Sequence, residues 1–279
     1  MAVGNITLTS GMRANLFALQ TTQKLMESTQ NRLSTGKKVN SALDDPINFF
    51  AASGHVQRAG DLAFRKDEMG EGIQTIKAAD SGISAITDLI ASAKSLAQSA
   101  LSAETTTEIN ALETQYNTLM DQIDTLADDS GYKGVNLLGG TTQTLNVKFD
   151  ETGASSITVT GFDASANGLS LADVTANDWN SDGSGSVADI NADITLLDAA
   201  RTTLRSNAKT MSSQLSTITI RQDFTTEMMN TLQDGAANLT NADLNEEGAN
   251  MLMLQTRQAL GTTSLSLASQ AAQSVLRLF

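Results

Sequence analysis

The 279-residue sequence contains no cysteine and has single copies of proline, histidine and tryptophan. Without cysteine the chain has neither disulfides nor a thiol nucleophile, and the lone His55 excludes the paired histidines of a zinc-protease helix. A single proline suits long uninterrupted helices, because a proline inside a helix costs about 3 kcal/mol. Aromatic residues make up 4%, so small aliphatic side chains must supply most of the core. The chain is therefore not expected to be an enzyme or to require a cofactor.

The charge of the chain also excludes some partners. The net charge is −13, and residues 101–200 carry sixteen acidic residues against two lysines. No basic patch interleaved with aromatic residues is present, so nucleic-acid binding is not expected. No run of eighteen apolar residues occurs, so no membrane insertion is expected. The first residues lack the charged and then apolar start of a signal peptide, which predicts that any export uses another route.

A 4-3 spacing of apolar positions recurs near both ends of the chain and brackets an irregular middle. It predicts helices in segments 73–97, 109–126 and 190–236, and the last is long enough for a coiled-coil-like rod. The first helix is predicted to end near Gly36, since glycine commonly terminates helices. Its apolar seam comprises Met12, Leu16, Leu19, Gln23, Met26, Gln30 and Leu33.

The middle of the chain has a different pattern. Alternating apolar residues at 145–149 and 157–159, with Gly153 between them, predict a β-hairpin. Residues 161–188 are rich in glycine, aspartate, asparagine and serine, which predicts a loop. His55, next to Gly54, is interpreted as lying at a helix start.

The last segment carries two apolar stripes, which cannot both be buried against a single partner helix. One alternative is a core helix inside a compact chain, but long rods leave little bulk around such a helix. The pattern therefore favours terminal helices that finish burying their surface in an assembly. The first stripe comprises Leu254, Gln258, Gly261, Leu265, Ala268, Ala272, Val275 and Phe279, and the second Leu260, Leu267, Ala271 and Leu278.

Four stretches, in the same order along the chain, carry a family resemblance. They are LSTGKKVNSALDDP at 33–46, GYKGVNLL at 131–138, LTNADLNEEGANM at 239–251, and the end, from QTRQALG at 255–261 to ASQAAQSVLRLF at 268–279. These stretches resemble the terminal motifs of bacterial flagellins, which often have alanine where this chain has Pro46. The resemblance covers residues 1–140 and 190–279.

The resemblance implies a mainly α fold, in which paired N- and C-terminal segments form a long coiled-coil-like rod with a small hairpin-and-loop insertion. Residues 1–42 and 237–279 are then the terminal helices of an inner core layer. Residues 43–140 and 190–236 are the rod, and residues 141–189 are a short surface insertion. The implied assembly residues are Met12, Leu16, Leu19, Met26, Leu33, Leu254, Gly261, Leu265, Ala268, Ala272, Val275 and Phe279.

The implied function is that of a structural subunit that self-assembles into the extracellular flagellar filament for swimming motility. Export through the flagellar type III apparatus, a secretion chaperone, and flagellar cap and junction proteins as partners are implied with it. Two alternatives share the same helical ends. One is a hook-filament junction protein, and the other is an adhesive coiled-coil module.

Residues 178–189 also match a twelve-residue calcium loop, apart from an aspartate at its last position, where glutamate is usual. The alternative is a flexible loop in which Asp189 caps the following helix. A lone loop of this kind predicts weak Ca²⁺ binding, at about 10⁻⁴–10⁻³ M. The predicted ligands are Asp178, Asn180, Asp182, Ser184, Ser186 and Asp189.

Overall fold

The structure, a computed structural model, describes residues 10–175, 178–180 and 186–276. These residues form five helices, one two-stranded sheet and a short 3-10 turn, which confirms the predicted mainly α fold. The elements are α1 (Ser10–Thr35), α2 (Pro46–Ala100), α3 (Thr106–Asp129), β1 (Thr144–Lys148), β2 (Ser156–Thr160), the 3-10 turn (Asp178–Asn180), α4 (Val187–Thr240) and α5 (Leu244–Leu276). Among these described helices, none is both long and apolar enough to cross a bilayer.

Local capping chemistry sets the helix ends. Gly36 follows α1 with a φ of +70°, and its N–H still donates to the carbonyl of Arg32 at 2.8 Å. This is the left-handed residue with which helices often end. Asp45 caps α2 by accepting the N–H of Asn48 at 3.1 Å, and Pro46 occupies the first helical position, where its missing N–H costs nothing.

Helix α2 is longer than its apolar periodicity predicts. The 4-3 spacing begins at Ile73, whereas the helix begins at Pro46 and spans 55 residues. His55 is therefore not at a helix start, but is the tenth residue of α2. The first turns of α2 carry apolar residues on more than one side, so no single stripe identifies them.

The chain divides into two compact units, residues 1–57 with 231–279 and residues 58–230. In the second unit, α2, α3 and α4 contribute to one apolar core. Small and aliphatic side chains supply most of that core, as the low aromatic content requires. Its fully buried members include Ile76, Ala79, Ile86, Ile90, Ala93, Ala97, Met120, Ile123, Leu197, Leu204 and Ile218.

The predicted hairpin is present, with β1 and β2 antiparallel and Leu145 opposite Val159. It packs closely on α2, because a Cβ added at Gly72 would lie 2.7 Å from Cγ2 of Val147. A second tight turn lies at 132–135, where Lys133 and Gly134 both have positive φ, as a type I′ turn requires.

Residues 161–175 are irregular, as predicted, but this loop contributes to the core of the second unit. Its buried residues are Ala164, Ala166, Leu169, Leu171 and Val174. Asn117 of α3 fixes the loop by donating to the carbonyl of Val174 at 2.8 Å and accepting its N–H at 2.9 Å. Asp124 accepts the N–H of Ala166 at 2.7 Å. Side chains on α3 thus satisfy backbone groups of this segment that its own backbone hydrogen bonds leave unpaired.

Candidate assembly surface

The first unit is built on the pairing of α1 with α5. On α1, seven buried or half-buried positions follow a three-and-four-residue spacing, and Arg32 is half-buried next to the last of them. The seven are Met12, Asn15, Leu19, Thr22, Met26, Thr29 and Leu33. The predicted seam shares four of these seven positions, but has Leu16, Gln23 and Gln30 where the structure buries Asn15, Thr22 and Thr29. Leu16 is exposed and lies off the seam.

At Thr22 the seam can bury a threonine because its hydroxyl is satisfied within the helix. The Thr22 hydroxyl donates to the carbonyl of Ala18 at 2.9 Å, so its burial leaves no unpaired donor. The periodicity of apolar residues does not predict the burial of Thr22 and Thr29, because it takes account of apolar side chains alone. The signal that identifies them is the strict three-and-four-residue spacing from Met12 to Leu33.

The two stripes of α5 have different environments. The first, which we call the inner stripe, has Leu254 buried and Gln258, Gly261, Leu265 and Ala268 half-buried. The second, which we call the outer stripe, is exposed over its described residues, with Leu260 at 64% and Leu267 at 61% exposure, and its Leu278 lies outside the described part of the chain. The side chains of Ala272 and Val275, and the whole of Phe279, lie outside the described part of the chain.

Three contacts hold the inner stripe against α1. Gln258 donates to the side-chain oxygen of Gln23 at 3.1 Å. Arg32, near the end of α1, pairs with the buried Glu247 in the first turn of α5, with Nη1 and Oε1 2.9 Å apart. At Gly261 an added Cβ would lie 2.6 Å from Cδ2 of Leu19 and 3.0 Å from its Cγ. The helices therefore approach closely where α5 has glycine.

We expect Gly261→Leu to overpack this contact, at a cost of about 1–3 kcal/mol. The critical concentration for seeded polymerisation should then rise by about one to two orders of magnitude. The matched control is Gly248→Leu on the same helix, because no atom lies within 4 Å of a Cβ added there. That change should be neutral or stabilising, since leucine favours a helix over glycine by up to about 1 kcal/mol. Equal critical concentrations for the two variants would contradict the close contact.

The first unit leaves many large apolar side chains without a partner in the single chain. Exposed apolar area of this extent marks an interaction surface in a structural protein. The exposed residues of this unit are Leu16, Phe17, Leu25, Leu43, Ile47, Phe50, Val56, Leu244, Leu252, Met253, Leu260 and Leu267.

The predicted calcium ligands are described only in part. Asp182 and Ser184 lie outside the described residues. The carboxylate of Asp178 accepts the hydroxyl of Thr175, and the side-chain oxygen of Asn180 is buried with no partner among the described residues. Over those residues, no three His, Cys, Asp or Glu side chains are grouped to hold a metal.

Ser186, rather than Asp189, is the cap of α4. Its carbonyl accepts the N–H groups of Asp189 and Ile190, both at 3.1 Å, and its hydroxyl also accepts from Asp189 at 3.4 Å. The carboxylate of Asp189 is thus not needed for capping. Burial raises the pKa of Asp193, and the neighbouring charges of Asp189 and Asp178 raise it further. The carboxylates of Asp189 and Asp178 therefore lie near that of Asp193.

The paired terminal helices and their uncovered outer stripe define a helical structural subunit. Comparisons of the sequence with known proteins agree. The family described as "Bacterial flagellin N-terminal helical region" matches residues 7–143. Flagellin FljM of Caulobacter vibrioides is 30% identical over the full length of both chains, and a flagellin of Brucella melitensis is 28% identical over 99% of each. A crystal structure of Bacillus cereus flagellin aligns at 19% identity and a TM-score of 0.48, over 57% of this chain and 88% of that one.

The chain belongs to the flagellin family, as its terminal motifs predict. It is a structural subunit of the bacterial flagellar filament, and neither alternative function is favoured. The expectation that it is not an enzyme is confirmed by membership in a family of structural proteins.

Proposed function

We propose that the α1–α5 pair is the surface through which copies of the chain pack in the filament. The observation that carries the proposal is the outer stripe of α5, exposed while the inner stripe packs on α1. In this arrangement the predicted assembly residues divide between two tasks. Met12, Leu19, Met26, Leu33, Leu254, Gly261, Leu265 and Ala268 hold the pair together, and Leu16 joins the outer stripe against neighbouring copies. Ala272, Val275 and Phe279 continue the inner stripe along the sequence.

The driving force is apolar burial. Each fully buried leucine or phenylalanine side chain stabilises an assembly by about 1.5–3 kcal/mol. Phe17 and Leu25 of α1 and Leu252 of α5 are also exposed. Neighbouring copies can therefore bury apolar side chains on several sides of the α1–α5 pair.

Seeded growth tests this proposal. Chain dissociated by heat should elongate short filament seeds into long filaments, which electron microscopy shows directly. Amide exchange in α1 and α5 should be slower in the filament than in the dissociated chain. Growth confined to a few layers would favour a junction protein instead, and no growth would favour an adhesive module. Unchanged exchange in both helices of a grown filament would place the assembly surface elsewhere.

We further propose that the chain leaves the cell through the flagellar type III apparatus, served by a secretion chaperone and by cap and junction proteins. The support is physical, because the exposed outer stripe needs a cover before assembly. A chaperone that covers it should bind the wild-type chain more tightly than a Leu260→Ser/Leu267→Ser variant. Equal affinity for the two chains would show that the chaperone does not bind the outer stripe.

We also propose that the loop at 178–189 binds Ca²⁺ weakly. Asp178 and Asp189 place negative charge near the half-buried Asp193, and Asn180 has a buried oxygen without a described partner. A hard cation with oxygen ligands offsets both features. Because Trp179 is a fully buried residue of this loop, its fluorescence reports on the site.

Titration with Ca²⁺ should change Trp179 fluorescence with a midpoint of about 10⁻⁴–10⁻³ M. Asp178→Asn should weaken the response, whereas Asp173→Asn, an exposed acid outside the loop, is the matched control and should not. No change at several times that concentration in the wild type would rule out the site.

A further inference from the structure

A turn just before α2 presents one apolar side chain to solvent. Leu43 is 96% exposed, the largest exposure among the large apolar residues that the structure describes. The turn that carries it is braced by Asp44, whose carboxylate accepts the N–H groups of Asn40 and Ser41 at 3.0 and 2.9 Å. Leu43 is therefore held outward by a rigid turn, and Ile47 and Phe50 continue the exposed surface into α2 at 81% and 65% exposure.

An apolar pocket of about 380 Å³ lies in the same unit, between the first turns of α2 and the end of α4. Its walls include Phe49, Ala52 and Val56 of α2 and Ala236 and Ala237 of α4. At 100° per residue, the pocket-lining side of α2 lies about 140° around the helix from the side that carries Ile47 and Phe50. Ile47 and Phe50, which extend the exposed surface of the turn, thus lie on a different side of α2 from the pocket.

The charges beside the two features have opposite signs. Lys37 lies at the pocket, is exposed, and forms no salt bridge within the described ranges of the chain. Asp44 and Asp45 follow Leu43 directly, and the backbone N–H groups that they accept lower the pKa of both carboxyls. Both acids therefore carry full negative charge at neutral pH.

We propose that Leu43 of one copy inserts into this pocket of a second copy, with Asp44 meeting Lys37 of that copy. The inference rests on the proposed assembly of copies and adds a defined contact to it. A second copy is the occupant that the chain itself supplies, because it carries both the apolar side chain and the complementary charge. A pocket of this volume accommodates one or two aliphatic side chains.

The proposed contact also explains why the polymer can add copies indefinitely. In the proposed contact the turn of one copy fills the pocket of the next copy without the reverse contact, so the contact is heterologous. Each copy that fills a pocket leaves its own pocket open for the next copy. Unless the rotation between copies closes a ring, such contacts generate an open helical polymer.

Cross-linking tests the contact directly, because the natural chain has no cysteine. A Leu43→Cys/Ser53→Cys chain places one thiol on the turn and one at the pocket, since Ser53 lines it. Filaments of this variant treated with a short bismaleimide should give a ladder of dimers, trimers and longer products on a denaturing gel. Each single variant should stop at dimers, and Leu43→Cys/Ser206→Cys, whose second thiol is outside the pocket, should give no ladder.

A second measurement uses Leu43→Ser. Because Leu43 is almost fully exposed in the single chain, its thermal unfolding should not change, while the critical concentration for elongation should rise at least tenfold. The contact would be overturned if filaments of the double-cysteine chain gave no ladder, or if Leu43→Ser left the critical concentration unchanged. Either result would leave assembly through α1 and α5 intact. Failure of the wild-type chain itself to elongate seeds would overturn both.

Discussion

Replacing Leu260 and Leu267 together by serine is expected to abolish seeded elongation at concentrations where the wild-type chain grows. Both side chains are more than 60% exposed in the single chain, so the free energy of unfolding should change by less than about 0.5 kcal/mol. In the filament the two leucines should lose about 3–6 kcal/mol of burial, taking 1.5–3 kcal/mol for each. That loss raises the critical concentration by about two to four orders of magnitude.

The matched control keeps the apolar area and changes the shape. Leu260→Met/Leu267→Met should elongate seeds at a critical concentration well below that of the serine variant, because the exchange keeps the apolar area and swaps of similar volume are the best tolerated. Sedimentation after seeded growth measures the critical concentration of all three chains. Wild-type growth by the serine variant would show that the outer stripe faces solvent in the filament.

Trp179→Ala is expected to have the largest effect on the stability of the second unit. Trp179 is fully buried, and its ring meets that of Tyr116 edge to face at 5.1 Å. Its Nε1–H donates to Oδ2 of Asp193 at 2.7 Å. Removing a buried tryptophan side chain costs about 3–5 kcal/mol, which should lower the midpoint of urea unfolding followed by circular dichroism.

Trp179→Phe separates the hydrogen bond from the ring. The N–H donates to the carboxylate of Asp193 and favours its charged form, which opposes the effect of burial on the pKa of that group. Without the N–H, the folded-state pKa of Asp193 rises further above its ordinary value of 3.8, and ionisation then costs more stability. The penalty of Trp179→Phe should therefore be largest at neutral pH.

The loss of unfolding free energy in Trp179→Phe should become smaller as the pH falls through the folded-state pKa of Asp193 in the variant. A protonated carboxyl is neutral, so its burial without the tryptophan N–H costs less free energy than burial of the carboxylate. Unfolding midpoints of the wild type and the variant at neutral and acidic pH measure the difference. A penalty independent of pH would mean that Asp193 gains nothing from the tryptophan N–H.

Several elements of this protein follow from its sequence alone. The strand alternation and Gly153 predict the hairpin, because two short runs of period two joined by a glycine-containing turn are typical of paired antiparallel strands. Gly36 marks the end of α1, since glycine adopts the left-handed conformation without a steric cost. The inner and outer stripes of α5 are also visible, because a helix with two apolar sides needs more than one partner. The terminal motifs identify the family.

Other features depended on the tertiary structure. Periodicity of apolar residues did not find Thr22 and Thr29 on the α1 seam, because threonine is polar in sequence but can bond its hydroxyl to its own helix. It also did not find the part of α2 that precedes Ile73, where apolar side chains on two faces cancel the stripe.

The loop after the hairpin is the clearest case. Its sequence has the composition of an exposed loop, yet Leu169, Leu171 and Val174 are buried in the second unit. Asn117 and Asp124, more than forty residues away in sequence, supply the hydrogen bonds that allow this backbone to be buried. The sequence thus determined most of the helices and the hairpin through local periodicity, and the family through its terminal motifs. The tertiary structure alone decided which polar residues and loop segments join the core, because that depends on partners distant in the chain.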